Sequence, residues 1–327
     1  MKTTLRGIFA AGVIACMFTP LTSHAQPAYP TKPIKLIAPF APGGSTDALA
    51  RIIAPEIGKR LGQNVVVENR AGAGGTIGTA EIARAEPDGY TIGLGAPGPL
   101  TVNVTLMDNL PYDAVRDFAP VALIVNLPVV LVANKAVPAN DIRSLIAADK
   151  ANPGKLFFAS AGVGTTMHLA GEMLNSMAGT RLQHVAYKGT GLAVTDLISG
   201  TVQLGFLDLP SAGPHIESGA LKILAVGNRN RALSAPNVPT IAESGVPGYE
   251  TTGWFGIIAP AKTPPAVVKR LNEVISEVMN SPDVRARLMK IGIEPMTSTP
   301  EQFGQFIRDE ISKWAIVIKA SGAKAPR

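Results

Sequence analysis

Residues 34–61 read IKLIAPFAPGGSTDALARIIAPEIGKRL, and they hold the unit from which the rest of the chain is built. Ile34 to Ile37 is a β-branched run with the composition of a strand. Leu49, Ile52, Ile53, Ile57 and Leu61 then recur at helical spacing. Between them, Pro39–Asp47 breaks both periods and carries Gly43-Gly44-Ser45-Thr46. The unit repeats. Val65–Val67 reads as a second strand, Ile77–Arg84 as a second helix, and Glu86-Pro87-Asp88-Gly89 as a type I turn before a third strand at Tyr90–Leu94. Strands alternating with helices predict a mainly parallel α/β sheet.

Val121–Ala133 is a long apolar run interrupted by Asn126 and Pro128, the expected crossing into a second domain. The pattern then restarts with strand Leu156–Ala159, helix Leu169–Met177, strand His184–Tyr187, helix Leu192–Ile198 and strands Val202–Leu207 and Leu221–Val226. Gly227–Gly253 reads as irregular and Trp254–Ala259 as a second crossing strand. The C-terminal part is helical, with hydroxyl N-caps expected at Thr263-Pro264, Ser281-Pro282 and Thr299-Pro300. Thr299 and Gln302 form a capping box, and Phe303, Phe306, Ile307, Ile311, Trp314 and Ile318 share one helix face. Two crossings predict a discontinuous first domain, 26–125 plus 236–327, and an inserted second domain, 126–235, whose second hinge lies within 226–255. Such a pair can close around a ligand.

Composition narrows the function. The chain has 327 residues, 30 Lys+Arg, 24 Asp+Glu, 4 His and one Cys. That length suits about two domains, and a single Cys excludes a disulfide framework or a thiolate zinc cluster. Residues 1–25 read as a cleaved signal peptide: Lys2 and Arg6, an apolar stretch from Ile8 to Phe18, and small residues at Ser23 and Ala25. A competing reading is a lipid anchor on Cys16. Removing Lys2 and Arg6 leaves 28 basic against 24 acidic residues, a net charge of +4 without striping, which is no nucleic-acid footprint.

The chemistry is expected in glycine loops before helices: Gly43-Gly44-Ser45-Thr46, Gly74-Gly75-Thr76, Gly162 to Thr166 and Gly189-Thr190-Gly191. Glycine lets backbone N–H groups approach a ligand, and a helix N-terminus favours carboxylate or phosphate. In an open α/β sheet these loops gather at the carboxyl ends of the strands. Near them, Asp47 suits either ligand contact or first-turn stabilisation, and Lys188 either an anion pair or solvent. His168 suits loop orientation, and Asp208 either accepts from a ligand or caps a helix at Ser211.

Established catalytic patterns are missing: there is no Gly-x-Ser-x-Gly elbow, no phosphate-binding Walker loop and no His-Glu-x-x-His. Gly93–Gly98 matches the dinucleotide fingerprint only formally, because Pro97 and Pro99 fall where its helix should run. The histidines left after cleavage, His168, His184 and His215, lack metal-ligand spacing, so neither a metal nor a cofactor is expected. An exported α/β enzyme using Asp47 or His168, or a solute sensor for a signalling partner, remain alternatives.

The motifs together resemble a known family. Tyr29-Pro30 and Pro39–Asp47, Asn69–Gly75, Pro87–Thr91, Asp117–Val121, Ser160–His168 and Ala186–Gly189 resemble, in order, the Bug-type extracytoplasmic receptors of tripartite tricarboxylate transporters. Ala71 departs from the proline common there. The resemblance implies a type II periplasmic-binding-protein fold, a small carboxylate ligand, a membrane permease as partner, a monomer and no catalysis. It implies one cleft wall from Phe40, Ala41, Gly43, Gly44, Ser45 and Asp47, with Gly74 beside it. The other wall would hold Ser160, Gly164, Thr165, Thr166 and His168, with Lys188, Gly189 and Asp208 nearby.

Overall fold

The computed structural model describes residues 29–321, so the expected signal peptide and Cys16 lie outside the described residues. Two parallel three-stranded groups flank an antiparallel centre. In the first group β1 (Ile34–Ala38) lies between β2 (Val65–Asn69) and β3 (Thr91–Gly95). In the second, β5 (Phe157–Ser160) lies between β6 (Gln183–Ala186) and β7 (Leu204–Asp208). The two crossing strands, β4 (Phe118–Asn134) and β9 (Thr252–Pro260), pair antiparallel and join the groups, with Leu127 opposite Gly253 and Pro128 opposite Thr252. β8 (Leu221–Val226) and the short β10 (Glu294–Pro295) also pair antiparallel with β4.

The sheet is therefore mixed where a mainly parallel one was expected. β4 enters the second half and β9 returns from it, so the pair must run in opposite directions. At about 3.3 Å per residue, the 17 residues of β4 span about 55 Å, enough to serve both halves. Burial on both faces explains its near-continuous apolar composition.

Helices cover the sheet: α1 (Ser45–Leu61), α2 (Thr76–Arg84), α3 (Asn103–Leu106), α4 (Ile142–Ala151), α5 (Thr166–Ala178), α6 (Thr190–Ser199), α7 (Leu209–Glu217), α8 (Pro265–Asn280), α9 (Pro282–Lys290) and α10 (Pro300–Ser321). A π-helical turn at Gly98–Val102 leads into α3. α4 starts at a capping box between Asp141 and Ser144 that the apolar spacing did not reveal. Of the three expected hydroxyl caps, Thr299 forms its box with Gln302. Ser281 makes no side-chain cap, and Thr263 donates to the Pro260 carbonyl because Pro264 itself takes the cap position.

Ile34, Leu36, Ile53, Ile57, Val274 and Val278 belong to the first lobe's core, and Leu131, Phe158, Leu169, Leu174 and Phe206 to the second's. α10 belongs to both lobes. Phe303 and Ile307 pack with Trp254 and Phe118, whereas Trp314 and Ile318 pack in the second lobe's core. Both buried indoles, Trp254 and Trp314, donate to Glu310 Oε2, at 3.3 and 3.0 Å. No helix among the described residues is long and apolar enough to cross a membrane.

Candidate functional site

The two lobes meet over a buried cavity of about 50 Å³. At ~10–15 Å³ per water centre, it is large enough to enclose a small solute rather than a solvent molecule alone. Each wall comes from loops at the carboxyl ends of strands. The first lobe supplies Phe40, Ala41, Gly44, Ser45 and Thr46 after β1, and Ala96, Pro97 and Gly98 after β3. The second supplies Ala161, Thr165, Thr166 and Met167 after β5, Gly189 and Thr190 after β6, and Asp208 at the end of β7. The floor is the crossing pair itself, through Leu127, Val129, Gly253, Trp254 and Phe255. Leu127 and Val129 are two apart on a strand and so face the same side.

Four helices start at this cavity, and one of them, α7, is capped by the Asp208 carboxylate. α1 is capped by Gly44 and α6 by Gly189, neither of which offers a side chain to the first-turn N–H groups. α5 is capped by Thr165, whose hydroxyl accepts from His168 N and donates to Gly162 O. The first four N–H groups of each helix lack intrahelical acceptors, and each end carries about half a positive charge. Neighbouring Thr166 is 5% exposed, and its hydroxyl has no partner although it is fully buried. A lone buried hydroxyl costs about 1–3 kcal/mol, so this one calls for a ligand group.

Of the residues expected at the site, Phe40, Ala41, Gly44, Ser45, Thr165, Thr166, Gly189 and Asp208 converge on the cavity. The other seven lie off its lining. Asp47 is turned into its own helix, accepting from Gly43 N and Arg51. Burial pushes its carboxyl up, but those hydrogen bonds outweigh it and hold the group below the ordinary range. Gly74 backs onto the opposite wall, where an added Cβ would overlap the Val163 carbonyl. Gly164, in left-handed backbone at φ +75°, faces Asn103 of the first lobe across the same seam. The Lys188 side chain is exposed, while its carbonyl accepts from Ala41 N at 3.4 Å across the cleft.

Ser160 and His168 brace the α5 loop from behind. Ser160 Oγ accepts from Gly162 N and lies 2.7 Å from His184 Nε2. His168 Nδ1 accepts from Gly164 N at 3.2 Å, which places its proton on Nε2, 3.9 Å from Glu172. The rings of His168 and His184 stack at 4.1 Å, with Phe158 on the far side of His184. Burial depresses both, His168 to about 4, and His184 to about 3 with a further push from His168. Each is neutral at pH 7.

Asp208 is fully buried and joins the lobes. Its Oδ1 accepts from Ser211 N at 2.9 Å, capping α7, and its Oδ2 accepts from Ser45 Oγ at 2.6 Å. Burial raises its pKa, and the hydrogen bonds from Ser45 and Ser211 offset part of that rise. The lobes also touch where Gly98 meets Gly164 and where Gly44 meets Thr190. Met167, Ala96–Gly98 and the floor were not anticipated as site residues, and Thr46 and Thr190 were named within their glycine loops without being singled out as contacts. For Thr190 the signal was present in Gly189-Thr190-Gly191. For the floor none was, since Leu127, Val129, Trp254 and Phe255 read as ordinary core.

The sequence profile described as "Tripartite tricarboxylate transporter family receptor" matches residues 49–323. The chain belongs to this family. Among its relatives is Protein BugT of Bordetella pertussis, 41% identical over 297 residues that cover 90% of this chain and 91% of BugT. A Rhodopseudomonas palustris protein solved with adipate is 36% identical at a TM-score of 0.88, covering 90% of this chain and 99% of that one. MatC from Rhodopseudomonas palustris, solved with bound malate, is 34% identical at a TM-score of 0.85, covering 89% of this chain and 100% of that one. The tripartite tricarboxylate receptors are solute-binding proteins rather than enzymes, and the two-lobed α/β fold described above is theirs.

Proposed function

We propose that this chain is a periplasmic receptor that closes on a small carboxylate and delivers it to a membrane permease of the tripartite tricarboxylate type. The observation that carries the reading is the convergence of α1, α5 and α6 on one buried cavity, with no basic side chain on its lining among the described residues. An anion there is held by peptide N–H groups and helix ends, which cost no reorganisation on binding. Adipate and malate in the two R. palustris proteins support a carboxylate as the ligand class. The titratable groups beside the cavity, Asp47, His168 and Asp208, are all engaged in holding loops and caps, which favours binding over turnover.

The lobes on this reading are 26–125 with 236–327, and 126–235, hinged where β4 and β9 cross, with α10 spanning both. Export by a signal peptide at 1–25 and action as a monomer belong to the same proposal. Calorimetry with an acid and its neutral amide tests the ligand class. The acid should bind at least tenfold more tightly, and equal affinities would refute it.

A further inference from the structure

We infer that Glu294 is a positioning residue: from outside the cavity, it ties the first lobe to the second and holds the two walls in their closed arrangement. The inference rests on the reading that the lobes close on a ligand, not on the class of that ligand.

Glu294 lies on the short strand β10, opposite Asn126 of β4, where the chain crosses between the lobes. Its neighbour Ile293 is buried in the first lobe's core. The residue is only 9% exposed, and a carboxylate at that depth is stable only when its oxygens are hydrogen-bonded. Three donors meet the need. Asn126 Nδ2 donates to Oε2 at 2.8 Å, and Ser234 donates to Oε1 through both N and Oγ, each at 3.3 Å. Ser234 belongs to the other lobe, since Ala232 and Ala235 beside it pack with Val130, Ala159 and Leu207.

The hydrogen bonds run one way. Asn228 Nδ2 donates to Thr252 Oγ1 at 3.2 Å, Thr252 Oγ1 to Asn126 Oδ1 at 2.7 Å, and Asn126 to Glu294. Each residue passes a donor forward, so the last must only accept, which an ionised carboxylate does. An amide in its place would turn an NH2 group on either Asn126 or Ser234. The series joins both crossing strands, β10 and the loop 228–234, and so fixes the angle between the lobes. Two residues before Glu294, Gly292 stands against the second lobe as well. An added Cβ there would lie 2.9–3.2 Å from the Leu209 side chain. Leu209 follows Asp208, which accepts from Ser45 at the cavity. Segment 292–294 therefore grips the second lobe at two places, one of them beside the residue that joins the walls.

The test is the separation of the lobes in the ligand-free protein. The chain's single Cys, Cys16, falls within the expected signal peptide, so introduced cysteines can be labelled without background. Spin labels at Ile77→Cys and Leu192→Cys sit on exposed residues, 55% and 51%, near the starts of α2 and α6 in opposite lobes. Pulsed electron resonance then gives the populations of short and long separations. Glu294→Gln should lower the ratio of short to long about fivefold, the factor that one hydrogen bond is worth. Ser234→Ala removes one of the loop's two donors and should shift the ratio the same way, by less. A parent with no short population, or an unchanged ratio in folded Glu294→Gln, would overturn the inference. Circular dichroism reports folding; if Glu294→Gln does not fold, Ser234→Ala decides alone, and an unchanged ratio there overturns it. No ligand enters these distances, so they stand or fall separately from the acid–amide calorimetry that tests the carboxylate reading.

Discussion

Gly98→Ala should weaken ligand binding without weakening the fold. Gly98 opens the π-helical turn at the edge of the cavity, in backbone that any residue adopts. A Cβ there would stand 2.8 Å from the Gly164 carbonyl oxygen of the opposite lobe, about 0.6 Å inside the 3.4 Å at which ordinary contact begins. The obstacle is backbone, not a side chain that can swing away, so the closed form must shift to admit it. Overpacking of this kind costs about 1–3 kcal/mol. Charged wholly to closure, that is roughly a 5- to 150-fold rise in Kd. Stability should change little: the Gly74 carbonyl oxygen of the same lobe, 3.2 Å from the added Cβ, must give by a few tenths of an ångström, which offsets the roughly 0.4–1 kcal/mol that Gly→Ala tends to add. Gly213→Ala is the control: it lies inside α7 with nothing within 4 Å of its Cβ. Calorimetry with a bound carboxylate, thermal unfolding and small-angle scattering at saturating ligand separate the outcomes. The expected result is weaker binding and a larger radius of gyration for Gly98→Ala alone, with neither variant losing melting temperature. Matching affinities and radii for the two variants would show that closure does not pass through the Gly98–Gly164 contact.

Other perturbations probe the joints around the cavity. Asp208→Ala removes the α7 cap, about 1 kcal/mol, and leaves the buried Ser45 hydroxyl without its acceptor, about 1–3 kcal/mol. Denaturant unfolding should therefore show a loss of about 2–4 kcal/mol, with Asp208→Asn losing less than half of it; equal losses would remove the cap and acceptor roles. The histidine stack makes stability pH-dependent. Both groups have folded values, about 4 and about 3, below the ordinary 6.5, so the unfolded chain binds more protons between those limits. Stability is then full above about pH 6.5 and falls as pH drops towards 4, by up to about 1.4 kcal/mol per pH unit for each histidine. Protonated His168 would also turn an Nδ1 donor against the Gly164 N–H that it now accepts. His184→Phe should flatten the unfolding-versus-pH curve over that window, and a slope identical to wild type would refute the linkage.

Much of this site could be read before folding. Gly44, Ser45, Thr165, Thr166 and Gly189 follow from one local rule, that a glycine or hydroxyl before a helix leaves amides facing outward. The rule works because caps depend on a few consecutive residues. The same rule picks out Gly74, Ser160, Gly164 and His168, which share those loops but lie in seams and supports off the lining; a one-residue step along a loop reverses direction, and only packing shows which step faces the cavity. Lys188 lies off the lining for a related reason, since its backbone carbonyl, not its side chain, meets the other lobe.

The repeat of strand, glycine loop and helix, and the two apolar crossings, were local properties of composition and period, so the chain itself determined them. What tertiary structure alone decided was partnership at a distance. Ser45 meets Asp208 across 163 positions, two tryptophans share Glu310, and a core-like stretch of β4 becomes the floor of a cavity. Burial depends on which surfaces meet in space, and apolar residues carry no mark saying whether they will face another side chain or a guest.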